Sequence, residues 1–190
     1  ALVEDVVSTE AFEFDLNKVD PTLFNANVSS LVQIKPEGEP SEPLNNLGDM
    51  CKAVGLGIKN PDAFVSGRLV MFDFSSLAKR VDANPANPDE PILSKRSLPQ
   101  FRLDLPLQLF TAHGHAITLR PVSAAIQTGV GYNGGHYTAL INSSSNPDHS
   151  QWQWHDDSVV HSNVSPIVGG GHNAPLGTLP FPVLVFMRVV

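Results

Sequence analysis

The sequence predicts an α+β chain built mostly from antiparallel sheet, with long surface loops. Three observations carry this expectation. Sixteen prolines and fourteen glycines cut the 190 residues into short segments. Apolar residues come in short runs, and period-2 alternation is plain in Phe12-Glu13-Phe14-Asp15-Leu16 and Phe101-Arg102-Leu103-Asp104-Leu105. Helix signals are few. At 42% hydrophobic, the chain suffices for one domain with a real core.

In chain order, a helix is expected over Pro21 to Leu31, because Asp20 is a good N-cap ahead of a proline. Cys51 to Ile58 reads as one or two helical turns. Strands are expected at Leu69-Val70-Met71-Phe72, Ile117-Thr118-Leu119, Tyr137 to Ile141, Gln151 to Trp154 and Val183 to Val189. Several of these are almost continuously apolar, as strands covered on both faces are. Segments 35–46, 82–91, 142–150 and 163–180 are rich in Pro, Asn, Ser, Glu or Gly and read as loops. A sheet of about five or six strands follows.

The balance of 12 Lys+Arg against 19 Asp+Glu gives a formal charge of −7. With no Lys/Arg run, the chain has no electrostatic footprint for nucleic acid or an anionic membrane. No stretch approaches the roughly 18 apolar residues of a membrane span, and no signal-peptide pattern is present. The single cysteine, Cys51, excludes an internal disulfide framework and fits a reducing, intracellular setting, cytoplasm or nucleus. The Asn-X-Ser/Thr triplets at Asn27 and Asn142 would matter only in a secreted protein. The chain opens on Ala1 rather than Met, which suits a processed product or an excised piece.

The informative stretch runs from Gly131 to Val160. Gly134-Gly135-His136-Tyr137-Thr138-Ala139-Leu140 sets a histidine after a glycine pair, at the start of an apolar strand. Glycines permit unusual backbone angles and let another chain approach closely. A histidine fixed there can take a proton from a nucleophile lying opposite. Asp156 and Asp157 follow at the end of Trp152-Gln153-Trp154-His155. Adjacent antiparallel strands joined by loop 142–150 would return Asp156 to His136, the arrangement of a base and the carboxylate that orients it. Taken singly, a Gly-Gly-His is more often a turn with a surface histidine, and Asp-Asp a solvated strand end; their order and separation in one hairpin raise the functional reading. His113-Gly114-His115 could chelate a metal with His161 or His172, but a His-x-His in a glycine-rich turn is more often plain loop; no metal and no cofactor are expected. Gly169-Gly170-Gly171 lacks the setting of a phosphate loop. Trp152 and Trp154 share one face of a strand, where core packing is the default.

These residues resemble the histidine box of the ubiquitin-specific proteases: Gly-His-Tyr-x-Ala-hydrophobic, a loop, Trp-x-x-Phe-Asp-Asp-x-x-Val, and a last apolar strand ending near Tyr-Arg. Here the counterparts are Gly135-His136-Tyr137-Thr138-Ala139-Leu140, Trp152 to Val160, and Val183-Leu184-Val185-Phe186-Met187-Arg188. Leu119 to Gln127 is similar to the strand before the box, and Leu98 to Leu105 to the family's Phe-Pro…Leu-Asp-Leu segment. Leu69 to Phe74 stands where the family has its Leu-Lys-Arg-Phe strand. Ser8-Thr9-Glu10-Ala11-Phe12 and Cys51-Lys52-Ala53-Val54 resemble, more loosely, parts of the family's fingers. The resemblance implies a papain-like palm, a twisted antiparallel sheet over 67–190, with a finger-like N-terminal segment over 1–66.

The same resemblance assigns roles. His136 would be the general base and Asp156 its orienter, with Asp157, Gly135 and Tyr137 supporting them. The chain departs from the family pattern in three places. His155 replaces Phe, the Lys-Arg-Phe signature is missing, and the paired finger cysteines are reduced to Cys51. The family's nucleophile box, Asn-x-Gly-x-x-Cys, belongs some two hundred residues before the histidine. Asn46-Leu47-Gly48-Asp49-Met50-Cys51 matches its letters, but Gly55 and Gly57 weaken any helix beneath Cys51. The expected activity is thiol-dependent hydrolysis after the C-terminal glycine of ubiquitin or a ubiquitin-like protein, with the cysteine supplied by an N-terminal half outside this chain. Two alternatives stay open: an inactive ubiquitin-binding scaffold, and a compact protease using Cys51. The implied partners are ubiquitin or a ubiquitin-like protein and that N-terminal half.

Overall fold

In the computed structural model, residues 6–14, 31–34, 40, 43–96, 98, 100–129, 131, 134–144, 146, 150–173 and 178–190 are described. The helix expected from Asp20, and Asn27, lie outside them; Leu31 itself opens a strand. In chain order the strands are β1 (Phe12–Glu13), β2 (Leu31–Gln33), β3 (Gly57–Ile58), β4 (Leu69–Asp73), β5 (Lys79–Asp82), β6 (Ile92–Lys95) and β7 (Gln100–Arg102). They continue with β8 (Leu107–Phe110), β9 (Ala116–Thr128), β10 (His136–Asn142), β11 (Trp152–Asp156), β12 (Val159–Val164), β13 (Ile167–Gly169) and β14 (Phe181–Val189). Among the described residues there are two short α-helices, α1 (Leu47–Ala53) and α2 (Ser75–Ala78), beside 3-10 turns at Thr9–Ala11 and Pro61–Ala63, and the α+β chain is mostly sheet.

The main sheet has eight strands, in the order β12-β11-β10-β9-β14-β4-β2, with β8 also on β9. It is therefore larger than the five or six strands expected, and its β2–β4 edge pair is parallel. Strand β9 is its spine. Along one edge it pairs β14 from Leu119 to Gln127. The other edge takes β8 against Ala116–Leu119 and then β10 against Ser123–Thr128. Two prolines sit in this central pair, and each lies beside an irregularity: the register shifts just after Pro182 and again opposite Pro121. A bulge is the place where a strand tolerates the missing N–H.

One buried cluster underlies the sheet. Phe72, Phe74, Phe101, Phe181, Ile126 and Leu140 are essentially inaccessible, each contributing about 1.5–3 kcal/mol of burial. Phe12 packs edge-on against Phe64 and Phe72, with ring centroids 5.2 and 5.9 Å apart. The segment expected to form a finger-like extension lends Val7, Val32, Ile34, Leu47, Met50 and Val54 to this same cluster. Helix α1 begins earlier than expected. Asn46 Oδ1 caps the Asp49 amide at 3.0 Å, and Asp49 Oδ2 accepts from the Asn45 amide at 2.9 Å. That reciprocal N-terminal cap offsets Gly48 in the first turn.

Strand β6 is tied to the sheet by a buried lysine. Lys95 Nζ donates to the carbonyls of Gln127 at 2.9 Å and Gly129 at 3.4 Å, and to that of Leu179. Three carbonyls match the three donors of an ammonium. Burial pulls its pKa down to about 8.

Candidate functional site

Strand β10 runs antiparallel to β11, with Ala139 opposite His155 and Leu140 opposite Trp154. Side chains alternate across a sheet, so His136, Thr138 and Leu140 share a face with Trp152, Trp154 and Asp156. His136 and Asp156 are thus diagonal neighbours on adjacent strands, and His136 Nε2 meets Asp156 Oδ1 in a hydrogen bond. Both side chains are partly exposed. The bond to Asp156 raises the His136 pKa most; slight burial opposes it, and the charges of Asp156 and Asp157 add to the rise. With Nε2 engaged by the carboxylate, Nδ1 is the ring nitrogen left to meet a reacting group.

The glycine before the histidine has a local reason. Gly135 sits at φ +140, and a Cβ there would lie 2.1 Å from the carbonyl oxygen of Thr128. The close approach that the glycine permits is therefore made by the chain's own strand β9. Thr128 Oγ1 donates to the His136 carbonyl at 3.3 Å, and Gln127 Nε2 to that of Gly134 at 3.4 Å. At Gly134 a Cβ would meet nothing within 4 Å.

The other expected site residues fall in different places. Asp157 occupies the two-residue turn between β11 and β12 with φ 50, a left-handed angle that Asp tolerates better than most residues. Its carboxylate, that of Asp156 and a His136 ring nitrogen lie within 4.8 Å of one another, close enough to share a metal ion. Among the described residues no such group forms round His113 and His115. Tyr137 is one residue from His136, so it faces the opposite side of the sheet, 59% exposed.

Cys51 is buried in the C-terminal half of α1. Burial pushes its thiol pKa far up, and the C-terminal end of a helix disfavours a thiolate further. Asn46, the first letter of the Asn-x-Gly-x-x-Cys match, accepts the Asp49 amide on its side-chain oxygen as the cap of this helix. Sequence reasoning missed the residues that brace the histidine from behind: Gln127, Thr128 and Lys95. No spacing signal could have found Lys95, which reaches carbonyls 32 to 84 residues away.

No protein-family model and no curated protein matches this sequence. Among solved structures, a yeast SAGA DUBm with a mutant Sgf73 is similar at TM-score 0.46 and 17% identity, over 84% of this chain and 33% of that one. A SAGA Ubp8/Sgf11/Sus1/Sgf73 DUB module is similar at TM-score 0.38 and 20% identity, over 72% of this chain and 25% of that one. A Ubp8-Sgf11-Sgf73-Sus1 SAGA DUB module is similar at TM-score 0.40 and 14% identity, over 84% and 33%. The chain spans a third or less of each of these chains.

Proposed function

We propose that the chain supplies the base and the orienting carboxylate of a thiol-dependent hydrolase of the ubiquitin-specific type, acting after the C-terminal glycine of ubiquitin or a ubiquitin-like protein. One observation carries the reading: His136 is bonded through Nε2 to Asp156 at the exposed start of β10, and among the described residues no hydrogen bond engages Nδ1. In this reading a cysteine from an N-terminal half outside the 190 residues faces Nδ1. His136 takes the thiol proton as the sulfur attacks the carbonyl, and returns a proton to the leaving amine. Asp156 holds the ring and favours the imidazolium formed between those steps. Asp157 adds negative potential close by. We also retain the division at residues 66 and 67 as part of this proposal, the N-terminal segment corresponding to the family's finger region.

A second reading is an inactive ubiquitin-binding scaffold. The burial of the sole cysteine favours it, because this chain offers no other thiol. A protease relying on Cys51 is opposed by the same burial. The test is a ubiquitin-based thiol trap with an intact-mass readout. The chain alone should form no adduct. A matching N-terminal half carrying the cysteine box should become labelled only when this chain is present, and His136→Ala should abolish that labelling. An adduct on Cys51 that vanishes in His136→Ala would overturn the reading in favour of a self-contained protease. Ubiquitin binding without any labelling of the reconstituted pair would leave the scaffold.

A further inference from the structure

The end of β9 that carries the candidate base is not held by a strand ladder on its β14 side. Pairing between the two strands stops at Phe181 and Gln127. The residue before Phe181 is Pro180, which has no N–H with which to extend the ladder. One step further in the same register stand Leu179 and Gly129. The ammonium of Lys95 fills this gap, donating to the carbonyls of Leu179, of Gly129 at 3.4 Å and of Gln127 at 2.9 Å. Thr128, between two of these gripped carbonyls, is the direct cross-strand partner of His136. Its hydroxyl donates to the His136 carbonyl at 3.3 Å, and its own carbonyl oxygen stands 2.1 Å from where a Cβ on residue 135 would be. The start of β10 therefore rests on the segment that the lysine fastens.

We propose that Lys95 is a positioning residue for the reaction: by closing β9 onto the segment before β14, it fixes the backbone that aims His136 at Asp156 and at the attacking thiol. The inference rests on the reading of His136 and Asp156 given above. Stability does not explain an ammonium at this place. Lys95 is 5% exposed, and among the described residues no carboxylate pairs with it. A buried cation without an anion is destabilising, and replacing buried charged groups by apolar residues of similar volume is often neutral. What an apolar side chain lacks is three donors set toward three carbonyls on two separate segments. Those bonds constrain position. A general base acts only within hydrogen-bond reach of the proton it takes, and a misplacement of about 1 Å can slow a reaction about 100-fold. A costly group kept beside a candidate site is where a demand for position outweighs one for stability.

The test is a double-mutant cycle on the 190-residue chain, read by the NMR titration of His136. Asp156→Asn lowers the His136 midpoint, and the size of that drop measures how closely the pair is aimed. Comparing the drop in the native chain with that in Lys95→Met cancels the direct field of the lysine. The drop should shrink to less than half in Lys95→Met while the urea midpoint at neutral pH stays close to the native one. Should Lys95→Met not fold, Lys95→Gln carries the same comparison; its amide offers two donors without the charge and should lose a smaller part of the coupling. In the reconstituted pair, Lys95→Met should slow thiol-trap labelling about tenfold at a nearly unchanged half-saturating concentration of the trap. A full drop in the folded variant, or labelling at the native rate, would overturn the positioning role. A native chain whose His136 midpoint ignores Asp156→Asn would remove the pair itself and the proposal with it. A native reconstituted pair that never labels would instead sink the hydrolase reading, while the titration cycle still decides what Lys95 does to His136.

Discussion

At the scale of single residues, the candidate site depends on one glycine and one carboxylate. Gly135→Ala would drive a methyl group into the Thr128 carbonyl, and the φ of +140 adds strain for any L side chain. The start of β10 must then shift, and His136 with it. Gly134→Ala meets open space. The expected outcome is a cost of at least about 2 kcal/mol for the first and under about 1 kcal/mol for the second, read from urea unfolding midpoints; equal costs would show that the approach of β9 is not what selects glycine. A second prediction concerns charge. Asp156 raises the His136 pKa chiefly through its hydrogen bond. Asp156→Asn should therefore move the His136 titration toward lower pH in a histidine-resolved NMR series, with Asp157→Asn doing the same to a smaller degree. The direction follows from the imidazolium losing a neighbouring anion, and an unchanged midpoint in Asp156→Asn would mean that the pair does not form in solution.

At the scale of elements, the strands that read best were those whose apolar residues recur without interruption. Leu69–Phe72, Tyr137–Ile141 and Val183–Val189 lie within β4, β10 and β14, all inside the main sheet. By apolar pattern Ile117-Thr118-Leu119 marks only the first part of β9, because Arg120, Pro121 and Ser123 interrupt the run; the rest of a strand that continues to Thr128 was legible only through the resemblance over Leu119 to Gln127. The β5–β6 hairpin was not legible. Lys79-Arg80-Val81-Asp82 holds one apolar residue, and its strand is held by backbone pairing and by Arg80 and Ser94 on the two carboxylate oxygens of Asp82, at 2.8 Å each. Helix α1 illustrates the other failure. Glycines at 55 and 57 argued against a helix carrying Cys51, whereas the helix ends before both of them and is set by Asn46 and Asp49 at its start. That geometry yields a prediction: Cys51 should be nearly inert toward a disulfide-forming reagent such as Ellman's in the native state at pH 7.5, and react stoichiometrically once guanidinium unfolds the chain. Prompt native labelling would require an opened α1 and would restore Cys51 as a candidate nucleophile.

At the scale of the molecule, the contacts that brace the site from behind join residues far apart in sequence, which is why they could not be read from it. The clearest is Lys95, whose ammonium joins β6, the end of β9 and the segment before β14. Gln127 and Gly129 flank Thr128, which touches both Gly135 and the His136 carbonyl, so this lysine stands directly behind the candidate base. Two opposing effects set what its removal does. Lys95→Met orphans up to three carbonyls at about 1 kcal/mol each, while it also removes the cost of a buried ammonium. The net change at neutral pH should accordingly be small, and the pH dependence carries the signature. The folded-state pKa is about 8, against an unfolded value of about 10.4. Below pH 8 both states hold the proton and the cost of burying the charge is present in full. Between about 8 and 10.4 the unfolded chain binds more protons, so the contribution of Lys95 to stability rises with pH across that window. Denaturant unfolding of both proteins from pH 7 to 10 should show the native chain gaining on Lys95→Met as pH climbs. Amide exchange at Gly129 and Gly135 should be faster in Lys95→Met at every pH, because the carbonyls that fix this corner have lost their donor. Parallel stability curves with unchanged exchange at those two glycines would mean that the corner is held without the lysine.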